Sequence, residues 1–159
     1  MAKRTAGYIS KGIGSITALA EFLREFDDAT RIRPFSPPPS AVIGWGLKPT
    51  SRRARRYAQR HHLPYVALED GFLRSLGLGV AGYQPHSMIV DYSGIYYDAS
   101  RPSDLEQWLS ANEFSAEEVL RAEHCMALLR RYRLSKYNHA PDRPLAVNDA
   151  TVLVVDQTA

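Results

Sequence analysis

Leu68-Glu69-Asp70-Gly71-Phe72-Leu73-Arg74-Ser75 is the stretch that decides the fold. It continues a short apolar segment, Pro64-Tyr65-Val66-Ala67-Leu68. A basic, helix-compatible stretch comes before that, and before it a second apolar run, Ala41-Val42-Ile43-Gly44-Trp45. The order strand, helix, strand predicts a βαβ unit with parallel strands over residues 41–45 and 64–68. Glu69 and Asp70 then fall at the carboxyl end of the second strand, the edge where open parallel sheets bind ligands. Two acids, a glycine and an arginine at that edge read as a site.

Working outward, residues 7–10 are expected to form a first strand. Lys11-Gly12-Ile13-Gly14 reads as a turn, and Ser15 as the cap of a helix over residues 16–26. Ile16, Leu19, Ala20, Leu23 and Phe26 make its core face. Residues 31–39 are proline-rich and read as a loop or edge segment. Thr50 or Ser51 is expected to cap the basic helix, whose inner face is Ala54, Tyr57, Ala58 and His61. Gly77, Gly79 and Gly82 mark a loop. Residues 87–91 and 94–98 read as two short strands joined by a tight turn. Ser103 and Ser115 each open a capping box. The first helix is expected to turn Trp108 and Leu109 inward, and the second Val119, Ala122, Met126 and Leu129. Residues 1–138 thus form a Rossmann-like α/β domain, 139–150 a linker, and 151–155 a further strand. Only four residues follow that last apolar run, so the chain reads as a fragment of a longer polypeptide.

Composition narrows the function classes. The 159 residues suffice for one domain, with 45% hydrophobic residues and a formal net charge of +3. No apolar run reaches the roughly 18 residues of a membrane span, and no secretory pattern opens the chain, so a cytoplasmic location is expected. The single cysteine, Cys125, excludes an internal disulfide and a cysteine-rich zinc site. The histidines are scattered and form no metal motif, and no cofactor fingerprint appears.

Candidate chemistry centres on Glu69 and Asp70. A carboxylate at a strand end can act as a base or hold a substrate hydroxyl. Neighbours on a strand point in opposite directions, so one of the two faces substrate while the other orients the loop. The structural alternative is a turn cap or a pair with Arg74. Arg74 and Ser75, before the glycines, can hold an anion, and Gly12 lies in a weaker phosphate-type turn. Tyr96 and Tyr97 face opposite sides of their strand, so one reads as core and the other, with Asp98, fits sugar contact by ring stacking and hydroxyl binding. Lys48 begins a basic run with Arg52, Arg53, Arg55, Arg56 and Arg60 that contains no acid before Glu69. No nucleic-acid module accompanies the run, so an anionic polymer or membrane surface fits it better than nucleic acid.

Read in series, Trp45-Gly46-Leu47-Lys48-Pro49, Leu68–Ser75, Gly77-Leu78-Gly79, Gly94-Ile95-Tyr96-Tyr97-Asp98-Ala99-Ser100 and Leu134-Ser135-Lys136-Tyr137-Asn138 resemble the capsule polysaccharide β-Kdo transferases of Gram-negative bacteria. Val154-Val155-Asp156-Gln157-Thr158 also fits. The resemblance implies a retaining glycosyltransferase that moves Kdo, an acidic sugar, from CMP-Kdo to a lipid-linked glycan. The reaction would lie at the cytoplasmic side of the inner membrane, with the protein peripheral to it. It implies two Rossmann-like domains in a GT-B-like module, of which this chain is the first, acceptor-side domain. The CMP-binding half would lie mostly beyond Ala159, and the nucleophilic carboxylate a few residues past Gln157, with Asp156 the weaker alternative. Glu69 and Asp70 become the catalytic candidates, with Glu69 the base. Lys48, Gly12, Arg74, Ser75, Tyr96 and Asp98 become substrate contacts. An anionic membrane surface and other capsule-assembly proteins are further candidate partners. The chain has Asp91-Tyr92-Ser93 where members often read Asp-Asp before Gly-Ile-Tyr-Tyr, and Ser10-Lys11-Gly12 where they often read Ser-Pro-Gly. The competing reading is a non-catalytic binding or export-scaffold domain for an anionic lipid-linked glycan. A response-regulator-like domain is disfavoured, because no acid pair follows the first strand.

Overall fold

The computed structural model describes residues 3–111, 113–141, 146–148, 150–152 and 154. Five strands form one sheet: β1 (Thr5–Tyr8), β2 (Asp28–Arg31), β3 (Ala41–Trp45), β4 (Tyr65–Asp70) and β5 (Met88–Asp91). Their spatial order is β2-β1-β3-β4-β5. The first four are parallel, and β5 runs antiparallel to β4. Val42 pairs with Tyr65 and Trp45 with Leu68, so the expected parallel pairing of these two runs is present. The chain leaves β1 toward β2 and returns on the other side of β1 as β3. That reversal opens a crevice at the carboxyl ends of β1 and β3.

The period of two in β3 and β4 builds both faces. Ala41, Ile43, Val66 and Leu68 pack with Ile13, Ile16, Leu19, Leu23 and Phe26 on one side. Val42 packs with Ala54 and Ala58 of α3 (Arg52–Arg60) on the other. The residues expected on the first helix's core face are therefore buried, apart from Ala20. The helix itself differs. It is split into α1 (Lys11–Gly14) and α2 (Leu19–Phe22). Ser15 closes α1, its hydroxyl donating to Gly12 O at 2.9 Å, rather than opening a helix.

Other elements depart from expectation for local reasons. The first strand sits two residues earlier than expected, and residues 28–31 add an edge strand on β1. Ser51 makes no side-chain cap; its hydroxyl is drawn back to the carbonyls of Gly46 (3.1 Å) and Lys48 (2.8 Å). His61 is exposed rather than on α3's inner face. Residues 94–98 form turns, not a strand. Buried Asp91 accepts backbone N–H bonds from Ser93 (3.0 Å) and Gly94 (2.6 Å), which bends the chain away from a hairpin ladder. Ile95 is fully buried there, and neither tyrosine after it is core.

Both capping boxes form, opening α4 (Asp104–Ala111) and α5 (Ala116–Tyr132). Their expected inner faces do not find a core. Trp108 and Leu109 are 69% and 61% exposed, and Val119 and Met126 are exposed on α5. Among the described residues the sheet's core closes without them. The strand expected over 151–155 includes positions 153 and 155, which lie outside the described residues, as do Asp156 and Gln157.

Candidate active site

The loops after β1, β3 and β4 surround a cleft of about 490 Å³ at the carboxyl edge of the sheet. Gly12 enters from the first loop, Lys48 from the second, Arg74 from the third, and Glu69 and Asp70 from the end of β4 itself. β4 runs two residues further than the apolar segment alone indicates, so both acids are its last residues, laddered to Ile89 and Met88 of β5. Strand alternation sends them apart. Glu69 meets Lys48, and Asp70 meets Arg74.

Glu69 is the buried acid of the cleft, with its side chain 8% exposed. One oxygen, Oε1, accepts from Lys48 Nζ at 3.3 Å and from the Asp70 backbone N–H at 3.2 Å. The other, Oε2, is buried and has no hydrogen-bond partner among the described residues. A buried carboxylate oxygen without a partner is costly to a fold. Its lone pairs are left unused.

The Gly46–Lys48 turn that presents Lys48 is clamped from several sides. Gly46 O accepts from Tyr65 Oη at 2.7 Å as well as from Ser51. Leu47 O accepts from Arg55 Nη2 at 3.2 Å, and Leu47 N–H donates to Tyr97 Oη at 3.0 Å. Gly46 has φ +40°, and a side chain there would collide with the Tyr97 hydroxyl. Burial pushes the Tyr65 hydroxyl's pKa above its ordinary value. The same holds for Tyr96, where burial acts first and the neighbouring Glu69 carboxylate adds to it.

Arg74 holds the third loop. Nε donates to Asp70 Oδ1 at 2.6 Å, and Nη1 donates to Ser75 Oγ at 2.8 Å and Tyr83 O at 3.0 Å. Ser75 is buried beneath the cleft and passes its own hydroxyl hydrogen to Gly77 O. Asp98 lies away from the cleft lining. It bonds the Ser100 backbone and hydroxyl, which hold its carboxyl below the ordinary range. Tyr97 and Tyr137 escaped the reading of single motifs. Tyr137 reaches the cleft because residues 136–138 return alongside 74–76: Arg74 N–H donates to Lys136 O at 3.0 Å, and Asn138 N–H to Leu76 O at 2.7 Å. The co-occurrence of the two motifs in one chain was the available signal.

A family model described as "Capsule polysaccharide biosynthesis protein" matches residues 40–156 and so takes in β3, β4 and the Lys48, Glu69 and Arg74 side of the cleft. The chain belongs to that family. Among capsule polysaccharide relatives, it is 49% identical over 156 residues to the capsule polysaccharide modification protein LipA of Neisseria meningitidis serogroup B, covering 94% of this chain and 22% of the relative. It is 43% identical over 109 residues to the lipopolysaccharide-processing protein LpsZ of Rhizobium meliloti, covering 67% of this chain and 24% of the relative. Among solved structures, the β-Kdo 2,4 transferase of Thermosulfurimonas dismutans KpsC superposes with a TM-score of 0.81 at 40% identity, covering 94% of this chain and 46% of that one. The β-Kdo 2,7 transferase of the same KpsC gives 0.55 at 26% identity, covering 82% and 43%. The chain thus spans about a fifth of the length of the curated relatives it matches. No helix among the described residues is long and apolar enough to cross a membrane.

Proposed function

We propose that this chain is the acceptor-side domain of a retaining, GT-B-like β-Kdo transferase module in capsule biosynthesis. The full-length protein would take Kdo from CMP-Kdo and add it to a lipid-linked glycan, working at the cytoplasmic face of the inner membrane. The observation that carries the reading is Glu69, a buried carboxylate that lines a cleft at the topological switch of the sheet and has one oxygen without a hydrogen-bond partner among the described residues. The likeness to solved KpsC Kdo transferases supports the sugar and the reaction class.

In this reading a carboxylate outside the chain displaces CMP from the anomeric carbon and forms a glycosyl–enzyme ester. The Glu69 carboxylate then accepts the proton of the acceptor hydroxyl. The resulting alkoxide attacks the anomeric carbon, and the ester carboxylate leaves. Lys48 holds Glu69 in place. Gly12 lines the cleft that takes the acceptor, and Arg74 with Ser75 fixes the loop that follows Asp70.

The test is transfer from CMP-Kdo to a lipid-linker acceptor by the full-length protein and its Glu69→Gln variant, read by mass spectrometry. Loss of the base is expected to lower turnover about 10²–10⁴-fold with the melting temperature little changed. Near-normal turnover in a folded variant would remove Glu69 as the base. Absence of transfer by the wild type would favour a binding or export-scaffold domain.

A further inference from the structure

Helix α3 carries five arginines and no acid in nine residues. Arg55 turns toward the cleft loop, donating to Leu47 O and Ser51 Oγ. The other four, Arg52, Arg53, Arg56 and Arg60, are exposed, and none has a hydrogen-bond or ion-pair partner among the described residues. At 3.6 residues per turn they share a stripe about 100° wide and about 12 Å long. Ala54 and Ala58, buried against Val42, lie on the opposite side. The stripe therefore faces directly away from the sheet.

Local stability does not account for this arrangement. Like charges at i, i+4 repel along the helix, at Arg52–Arg56 and Arg56–Arg60. Arginines in the first turn oppose the helix dipole, and no acid is present there to offset them. The sequence thus concentrates positive charge on an outward face at a cost to the helix.

We propose that the α3 stripe docks the protein on an anionic phospholipid surface. The stripe is convex, and none of its four arginines lines the cleft. A convex row of guanidinium groups suits an extended plane of phosphates rather than a small anion or a threaded polymer. No exposed large apolar side chain on α3 is available for insertion. Tyr57, the helix's one aromatic residue, packs against His61 with ring centroids 4.2 Å apart, so stacking on bases is not served either. Binding is then electrostatic and salt-sensitive. Because α3 follows directly on the turn that carries Lys48, docking places the cleft mouth beside the lipid surface. The inference goes beyond the transferase reading and stands on α3 by itself.

The experiment is co-sedimentation of the full-length protein with vesicles rich in phosphatidylglycerol and with vesicles of phosphatidylcholine alone, at low and high salt. Wild type is expected on the anionic vesicles at low salt and free at high salt. Each arginine raises partition roughly fivefold, so R52Q/R53Q/R56Q/R60Q is expected to bind roughly 10²–10³-fold more weakly, while the matching fourfold Lys variant binds nearly as wild type. Kdo transfer to a soluble acceptor is followed in parallel and is expected unchanged in both variants; the melting temperature is expected unchanged in the Lys variant and slightly raised in the Gln variant, which relieves the repulsion along α3. Failure of the transferase reading would leave the vesicle result intact. Equal partition of wild type and the Gln variant, or equal binding to both vesicle types, overturns the proposal. So does tighter binding to dextran sulfate or duplex DNA than to anionic vesicles.

Discussion

Lys48 Nζ lies 3.3 Å from Glu69 Oε1, the lysine from the loop after β3 and the acid from the end of β4, at the carboxyl edge of the sheet. Lys48 is more than half exposed, whereas Glu69 is buried. The pair therefore compensates a buried charge from the solvent side. Lys48→Met is expected to destabilise by about 1–2 kcal/mol, below the range for a fully buried pair because water screens the lysine. Adding Glu69→Gln removes the uncompensated charge, so the double variant is expected to recover most of the loss. Urea midpoints of the four proteins measure this. Simple additivity would show that Lys48 does not compensate Glu69.

Arg74 is expected to be the most sensitive surface-loop position. Its side chain is 9% exposed and serves Asp70, Ser75 and Tyr83 together. Arg74→Ala leaves these acceptors without their donor and is expected to cost about 3–5 kcal/mol. Arg74→Lys is expected to recover only part, because a single ammonium cannot span the fork. Chemical denaturation gives the cost, and limited proteolysis within residues 76–86 reports the loosened loop.

Gly46→Ala combines a left-handed backbone with a collision on the Tyr97 hydroxyl. The backbone contributes about 1–2 kcal/mol of strain, and overpacking about 1–3 kcal/mol more. Tyr97→Phe alone is expected to cost about 1 kcal/mol through the Leu47 N–H it leaves unpaired. The double variant should lose less than the sum, because the hydroxyl in the clash is gone. Thermal melts of the set decide it.

Acidification is expected to loosen α4 and α5. Glu118 is held below its ordinary pKa of 4.5 by the Ser115 backbone N–H and hydroxyl, and Glu106 likewise by Ser103. A depressed carboxyl contributes stability above its ordinary value and loses it as pH falls through the lowered one. Helicity by circular dichroism should therefore decline as pH drops below 4.5. Glutamine keeps the box without titrating, so E106Q/E118Q should flatten that limb. An unchanged limb would assign the acid transition to other groups.

Alternation and capping chemistry made much of the fold readable in advance. Val42 and Ile43 must face opposite sides of a strand, so the apolar runs at 41–45 and 64–68 specify a doubly covered sheet. Ser103 and Ser115 specify helix starts through bonds three residues long. Glu69 and Asp70 were placed at a sheet edge by chain order alone. Tertiary structure decided the rest. Ser51 abandons its cap for the Gly46 and Lys48 carbonyls, and Asp91 diverts residues 94–98 from a strand, because buried polar groups take whichever partners the packed chain brings near. α4 and α5 have apolar stripes that periodicity identifies but cannot pair, since what a face packs against depends on contacts distant in sequence. The roles of the two acids divided in the same way. Only the folded chain brings Lys48 to one and Arg74 to the other, and leaves a single Glu69 oxygen buried and unpartnered.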